Sequence, residues 1–173
     1  MTISLYDVTV PSFRQTLGAM TGLLEKAEAF CAEKGMAPTD LVQARLADDM
    51  LPFAYQIKST GVHSLGAIEG VRTGTFSPDR TAPPETFAAL RARVADTVNA
   101  LEAIDRAEIE AFMGRDMCFV VGERRLEYTA ENFLLSFSLP NFYFHAATAY
   151  DILRWKGLQI GKRDFLARTR VKR

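Results

Sequence analysis

Apolar residues recur at spacings of three and four along four long stretches of this chain, and that period limits what it can fold into. The first stretch, from about Pro11 to Lys34, carries Phe13, Leu17, Met20, Leu24, Ala27 and Cys31 in one stripe. Pro11 suits a first helical turn and Gly35 a C-terminal cap. The second starts near Pro52 and places Phe53, Ile57, Thr60, Ser64, Ala67 and Val71 on a shared face. The third, from about Glu85 into the Ala107 region, carries Phe87, Leu90, Val94, Val98 and Leu101. The fourth begins after Thr129, a residue suited to N-capping, and runs to about Lys156 before Gly157. Four amphipathic helices without alternating strands predict an all-α four-helix bundle.

The intervening segments qualify that plan. In "APTDLVQARLADDMLP", Thr39 or Asp40 is placed to cap a short helix through Leu46. "VRTGTFSPDRTAPPE" reads as a loop. Two short strand-like runs, Met117 to Val121 and Arg125 to Tyr128, flank Gly122 and predict a β-hairpin inserted before the last long helix. Gly61 and Gly66 weaken the second helix but admit close packing or a ligand beside His63. Pro140 lies inside the fourth stretch, where it removes the bond to Ser136. A kink or break is expected over Ser136–Pro140, with Asn141 and His145 following from a new helix start.

With 173 residues, 48% of them hydrophobic, the chain suits one domain spanning 1–173. Lys plus Arg is 21 and Asp plus Glu is 21, so the formal net charge is zero and the pI is about 6.7. Such balance gives no general reason to expect nucleic acid or an anionic membrane as a partner. The local exception is the basic tail from about residue 162, with Lys162, Arg163, Arg168, Arg170, Lys172 and Arg173, which reads as a solvated, partly frayed terminus. Cys31 and Cys118 are too few for a disulfide framework and sit among apolar neighbours. The N-terminal residues lack the basic and apolar regions of a signal peptide, and no apolar run reaches membrane-spanning length. A cytoplasmic protein is expected.

Asn141, His145 and Thr148 stand at i, i+4 and i+7 and share a helix face. The stripe Phe137, Phe144, Thr148, Ile152 and Trp155 runs beside them, so that face should look inward or toward a cleft. His63, at the flank of the second stripe, is the chain's other histidine. A histidine on an apolar face is either a hydrogen-bonded core residue or a metal ligand. Two histidines fall short of the usual catalytic zinc set of three protein ligands plus water. Asn141 offers only a neutral amide oxygen, while Asp49, Asp151 and Glu69 would be better donors without a spacing that selects one. Tyr55, Arg45, Asp49 and Thr148 complete the expected pocket, and "RLADD" allows an Arg45–Asp49 contact that would order its loop. No nucleophile-elbow, phosphate-loop, dinucleotide or HExxH motif is present. A Cys–His pair is possible only by inventory.

Four pieces, "SLYDVTVPSFRQTL", "QARLADDMLPFAYQ", "PNFYFHAATAYDILR" and "GLQIGKRDFL", together with the order of parts, resemble the DinB/YfiT-like superfamily of metalloenzymes, and within it a bacterial family of unknown function. The resemblance covers nearly the whole chain. It implies a four-helix bundle, often dimeric, in which many members hold a divalent metal with three histidines, one from the second helix and two at i and i+4 on the last. Characterised relatives include thiol-dependent transferases and isomerases. Carried onto this chain, it implies His63 as the second-helix ligand and His145 as the second of the last-helix pair, judged from its distance to Leu153–Arg154. Asn141 then stands where the first histidine of that pair would be.

Two readings from different classes stand on these residues. One is a metal-assisted enzyme, of transferase or hydrolase type, acting on a small molecule with zinc, nickel or manganese. The other is a metal-free bundle serving as a small-molecule-binding protein or a dimeric interaction protein. Both place His63 and His145 across one pocket from each other, and both expect a homodimer.

Overall fold

Each of the four apolar periods folds as helix, and the computed structural model, which describes residues 3–172, shows where each begins and ends. Met1, Thr2 and Arg173, which the 1–173 domain span and the basic tail include, lie outside the described residues. A single turn, α1 (Leu5–Val8), opens the chain with a capping box between Ser4 and Asp7. α2 (Val10–Lys34) follows with proline in its first turn and closes on Gly35 at φ 60°, a left-handed conformation that favours glycine. α3 (Pro38–Val42) begins from Ala37 and ends four residues before the expected Leu46; the proline at its start, not a Thr39 or Asp40 cap, sets its boundary.

The second period is a composite. α4 (Phe53–Gly61) passes into a π-helical segment, Val62–Gly66, and then into α5 (Ala67–Thr73). β1 (Thr75–Phe76) follows. α6 (Phe87–Glu102) starts from Thr86, whose hydroxyl accepts from the Ala89 amide, and stops short of Ala107; α7 (Arg106–Glu110) is a separate turn capped by Asp105. β2 (Asp116–Val121) and β3 (Arg124–Thr129) form the hairpin. The fourth period starts at Thr129 as expected and reads α8 (Ala130–Asn132), a second π-helical segment, Phe133–Ser138, and α9 (Leu139–Trp155). α10 (Lys162–Leu166) ends the regular structure.

Pro140 therefore causes no break. The helix switches to the wider π register over Phe133–Ser138, and the proline falls in the first turn of α9, where its missing N–H costs nothing. α4 packs on α9 and α6, and α2 packs on α6 and α9, so the four long stretches enclose one core. Phe13, Met20, Phe53, Ile57, Leu90, Phe142 and Ile152 are buried in it. Phe13 meets Phe142 edge-on at 4.8 Å. Each such side chain contributes about 1.5–3 kcal/mol by leaving water.

The expectation of an all-α fold with a hairpin needs correcting. The protein is predominantly helical with a three-stranded sheet, order β1-β2-β3. β2 and β3 pair antiparallel from Asp116↔Thr129 to Val121↔Arg124, while β1 pairs parallel with β2 through Thr75↔Cys118 and Phe76↔Phe119. A two-residue strand carries no period to read. It lies flat on α5 because Gly70 has no side chain; a methyl there would stand 3.0 Å from Phe76 Cβ. The basic tail is also not simply frayed. α10 packs on α2, with Lys26 paired to Asp164 and Gln15 donating to the Leu166 carbonyl at 3.0 Å.

Candidate functional site

α4 and α9 run side by side, and their π-helical neighbours meet at one level. A π turn releases carbonyls from the regular ladder and is frequent at functional positions. Here the freed carbonyl of His63 accepts from the hydroxyl of Ser138, fully buried in the opposite π segment, at 2.9 Å. That bond ties the His63 backbone to the helix that carries His145.

The two imidazoles consequently stack, with centroids 5.5 Å apart and planes 16° from parallel. They line a cavity of about 190 Å³ with Tyr55, Ser59, Val62, Phe76, Pro78, Asp79, Phe119, Phe137 and Asn141. Phe76 and Phe137 flank His63 at 5.7 and 5.8 Å, and Tyr55 stands edge-on to His145 at 6.0 Å. Burial in this aromatic setting pushes the pKa of both histidines down to about 4, with the neighbouring His145 adding to the effect on His63. Both rings are therefore neutral at pH 7, and each has one nitrogen without a proton. His145 Nδ1 lies 2.7 Å from Gln56 Oε1. Nδ1 of His63 is buried with no hydrogen-bond partner, a costly state for a polar atom.

Asn141 stands at the cavity wall and donates through Nδ2 to the Phe137 carbonyl at 2.7 Å, leaving its Oδ1 as the acceptor. Asp79 also lines the cavity, but its carboxylate is engaged by Lys58 at 3.1 Å and Arg93 at 3.4 Å and accepts from the Thr81 amide at 2.9 Å. The Lys58 side chain is 1% exposed and donates further to the carbonyls of Asp79 and Thr81, at 3.1 and 2.6 Å. It clamps the loop after β1 against α4 and so holds Pro78 and Asp79 at the cavity. A wider open groove of about 940 Å³ between α4–α5 and α6 adjoins it across Val62, Phe76 and Asp79. Gly61 faces that groove, and a methyl there would sit 3.2 Å from Thr97 Oγ1, so helix packing accounts for this glycine.

Among the residues singled out from sequence, His63, His145, Asn141 and Tyr55 come together. Thr148 is buried but does not line the cavity. Arg45 and Asp49 are exposed and elsewhere; Arg45 donates to the Met50 carbonyl at 3.2 Å, so that bond and not an Arg45–Asp49 pair orders their loop. Asp151 and Glu69 are exposed and do not reach the cavity either. Cys31 lies in the core stripe and Cys118 on β2, neither at the cavity. Phe144 and Trp155, expected to look inward, are 57% and 60% exposed. Gln56, Lys58, Asp79 and Ser138 escaped sequence reasoning. Gln56 alone left a signal, standing two helical turns before His63 on the same face. Among the described residues no group of three or more His, Cys, Asp or Glu side chains could hold a metal ion. Nor is any helix among them long and apolar enough to cross a membrane.

Comparison with known proteins bears on the family and the fold. The family model described as "Domain of unknown function (DUF1993)" matches residues 5–166. The crystal structure of a DinB family member protein from Shewanella denitrificans superimposes with a TM-score of 0.83 at 29% identity, over 98% of this chain and 95% of that one. No curated protein matches the sequence.

Proposed function

The chain belongs to the DUF1993 family, within the DinB-like superfamily, and from that premise we propose that the His63–His145 cavity binds a divalent cation and, beside it, a small molecule. The observation that carries this reading is the buried, partnerless Nδ1 of His63 opposite a second neutral imidazole. Two imidazoles and the Asn141 amide oxygen form a donor set that suits zinc, nickel or manganese, with water completing the coordination. Such an ion, when bound, acts as a Lewis acid or lowers the pKa of a bound water or thiol. The chain's own residues hold the imidazoles neutral by burial, orient them from two π-helical turns tied by Ser138, and keep bulk water out with Phe76, Phe119 and Phe137. The four long helices, as a four-helix bundle, supply the rigid frame, and a small-molecule transferase or hydrolase in the cytoplasm fits these parts.

A metal-free reading is favoured by a specific observation, the lack of a third His, Cys, Asp or Glu donor among the described residues. In that case the cavity binds a small neutral molecule, and the exposed Phe144 and Trp155 on α9 form an apolar face for a second copy of the chain. Elemental analysis of protein purified without a histidine tag separates the readings. The metal reading expects a divalent ion, a melting temperature raised by zinc, nickel or manganese, and loss of that rise in His145→Ala. Protein that contains no metal and gains no stability from any of the three supports the metal-free reading.

A further inference from the structure

We propose that Gln56 is a positioning residue for His145: its amide fixes the imidazole as the Nδ1–H tautomer and leaves Nε2 as the free lone pair. The inference rests on the reading of His145 as a ligand-binding imidazole and adds the group that decides which of its nitrogens is available.

Gln56 is 2% exposed, so both ends of its amide need partners inside the protein. Its Nε2 donates to the Leu51 carbonyl at 2.8 Å, just ahead of α4. A flipped amide would set Oε1 against that carbonyl, acceptor against acceptor, and the orientation is fixed by this contact. Oε1 therefore faces His145 Nδ1, 2.7 Å away. An amide oxygen can only accept, so the hydrogen between the two atoms belongs to the ring nitrogen. The opposite tautomer would press two lone pairs together and forfeit a buried hydrogen bond.

A neutral ring has a single N–H. With that proton held at Nδ1, Nε2 is the one nitrogen of His145 able to take a metal or a substrate proton. A carbonyl-type acceptor behind the far nitrogen is the arrangement that orients metal-binding histidines and raises their basicity. His63 lacks such a partner on its Nδ1, so the two stacked rings differ: one is held by the protein, and the other has a nitrogen left open.

The test is nitrogen NMR of protein labelled at its histidines, stripped of metal and held near neutral pH. The native protein should show His145 with a protonated Nδ1 and a bare, pyridine-type Nε2. Gln56→Met keeps the length and removes the amide; its His145 should move toward the Nε2–H tautomer that free imidazole prefers. Thr60→Ala, which removes a buried hydrogen bond from α4 at a residue that does not line the cavity, should leave the pattern unchanged. In a competition titration, zinc should bind Gln56→Met about 10–100-fold more weakly than native protein. A native His145 protonated at Nε2 overturns the proposal, as does a native pattern in Gln56→Met or an equal change in Thr60→Ala. The native spectrum decides the tautomer whatever the stability of the variant. Absence of zinc binding in the native protein would sink the metal reading and leave the tautomer result to decide this one.

Discussion

At the α1–α7 corner the charged side chains are paired and open to solvent. Ser4 and Asp7 cap each other, Arg106 donates to Ser4 Oγ at 3.0 Å and pairs with Asp7, and Glu110 accepts from the Tyr6 amide at 3.0 Å. The Arg106 hydrogen bond, with those from Ser4, holds the Asp7 carboxyl down at about 2. At the histidine cavity the arrangement is the reverse. Its imidazoles are neutral because burial forbids their charge, and one buried nitrogen has no partner at all. Satisfied, solvated charges close a chain terminus onto the domain at little energetic consequence. An unsatisfied buried nitrogen is a standing cost, and proteins keep such costs mainly where a ligand removes them.

Acid should separate the two regions first and most. Histidines whose pKa falls from 6.5 unfolded to about 4 folded contribute fully above pH 6.5, and stability is lost as pH drops from 6.5 to about 4. The slope should approach about 1.4 kcal/mol per pH unit for each ring that stays neutral. For Asp7 the depressed pKa puts the contribution above pH 3.8, lost between 3.8 and about 2. Urea midpoints across pH should therefore show two windows, and His145→Gln should roughly halve the slope of the upper one while leaving the lower one in place.

Lys58 tests what happens when a buried charge that does have partners is removed. Lys58→Met strands the carbonyls of Asp79 and Thr81 and frees the Asp79 carboxylate. The expected loss is about 3 kcal/mol by chemical denaturation, the low end for a broken buried pair because Asp79 is partly solvated. Gly70→Ala should cost about 1–3 kcal/mol, since the new methyl meets Phe76 and must push it toward the cavity. Arg106→Ala should be smallest, a shift in melting temperature that disappears in high salt.

How far the sequence carried follows from the physics of each part. The α2 stripe was legible from end to end because an uninterrupted α-helix keeps one period. So were the hairpin around Gly122 and the meeting of His63 with His145. The inward stripe through Phe137, Phe144, Thr148, Ile152 and Trp155 held in part: Phe137 lines the cavity and Thr148 and Ile152 are buried, while Phe144 and Trp155 are exposed. The core face of α9 is centred on Phe142, Ala146, Ala149 and Leu153, with Thr148 and Ile152 at its edge, and Phe144 and Trp155 lie beyond that edge. Gln56 shares the His63 face in the sequence, but its bond to His145 spans 89 residues, and no local spacing reveals that partner. Lys58 was hidden because a lysine on a helix reads as surface until a loop closes over it.

The account's central claim is that two half-buried imidazoles on facing helices share one ligand. A zinc competition titration of native protein, His145→Ala, His63→Ala and Asn141→His tests it most directly. The account predicts one ion per native chain, binding lost in both alanine variants, and tighter binding when position 141 gains a third imidazole at the cavity wall. Zinc affinity unchanged by either alanine substitution would contradict it.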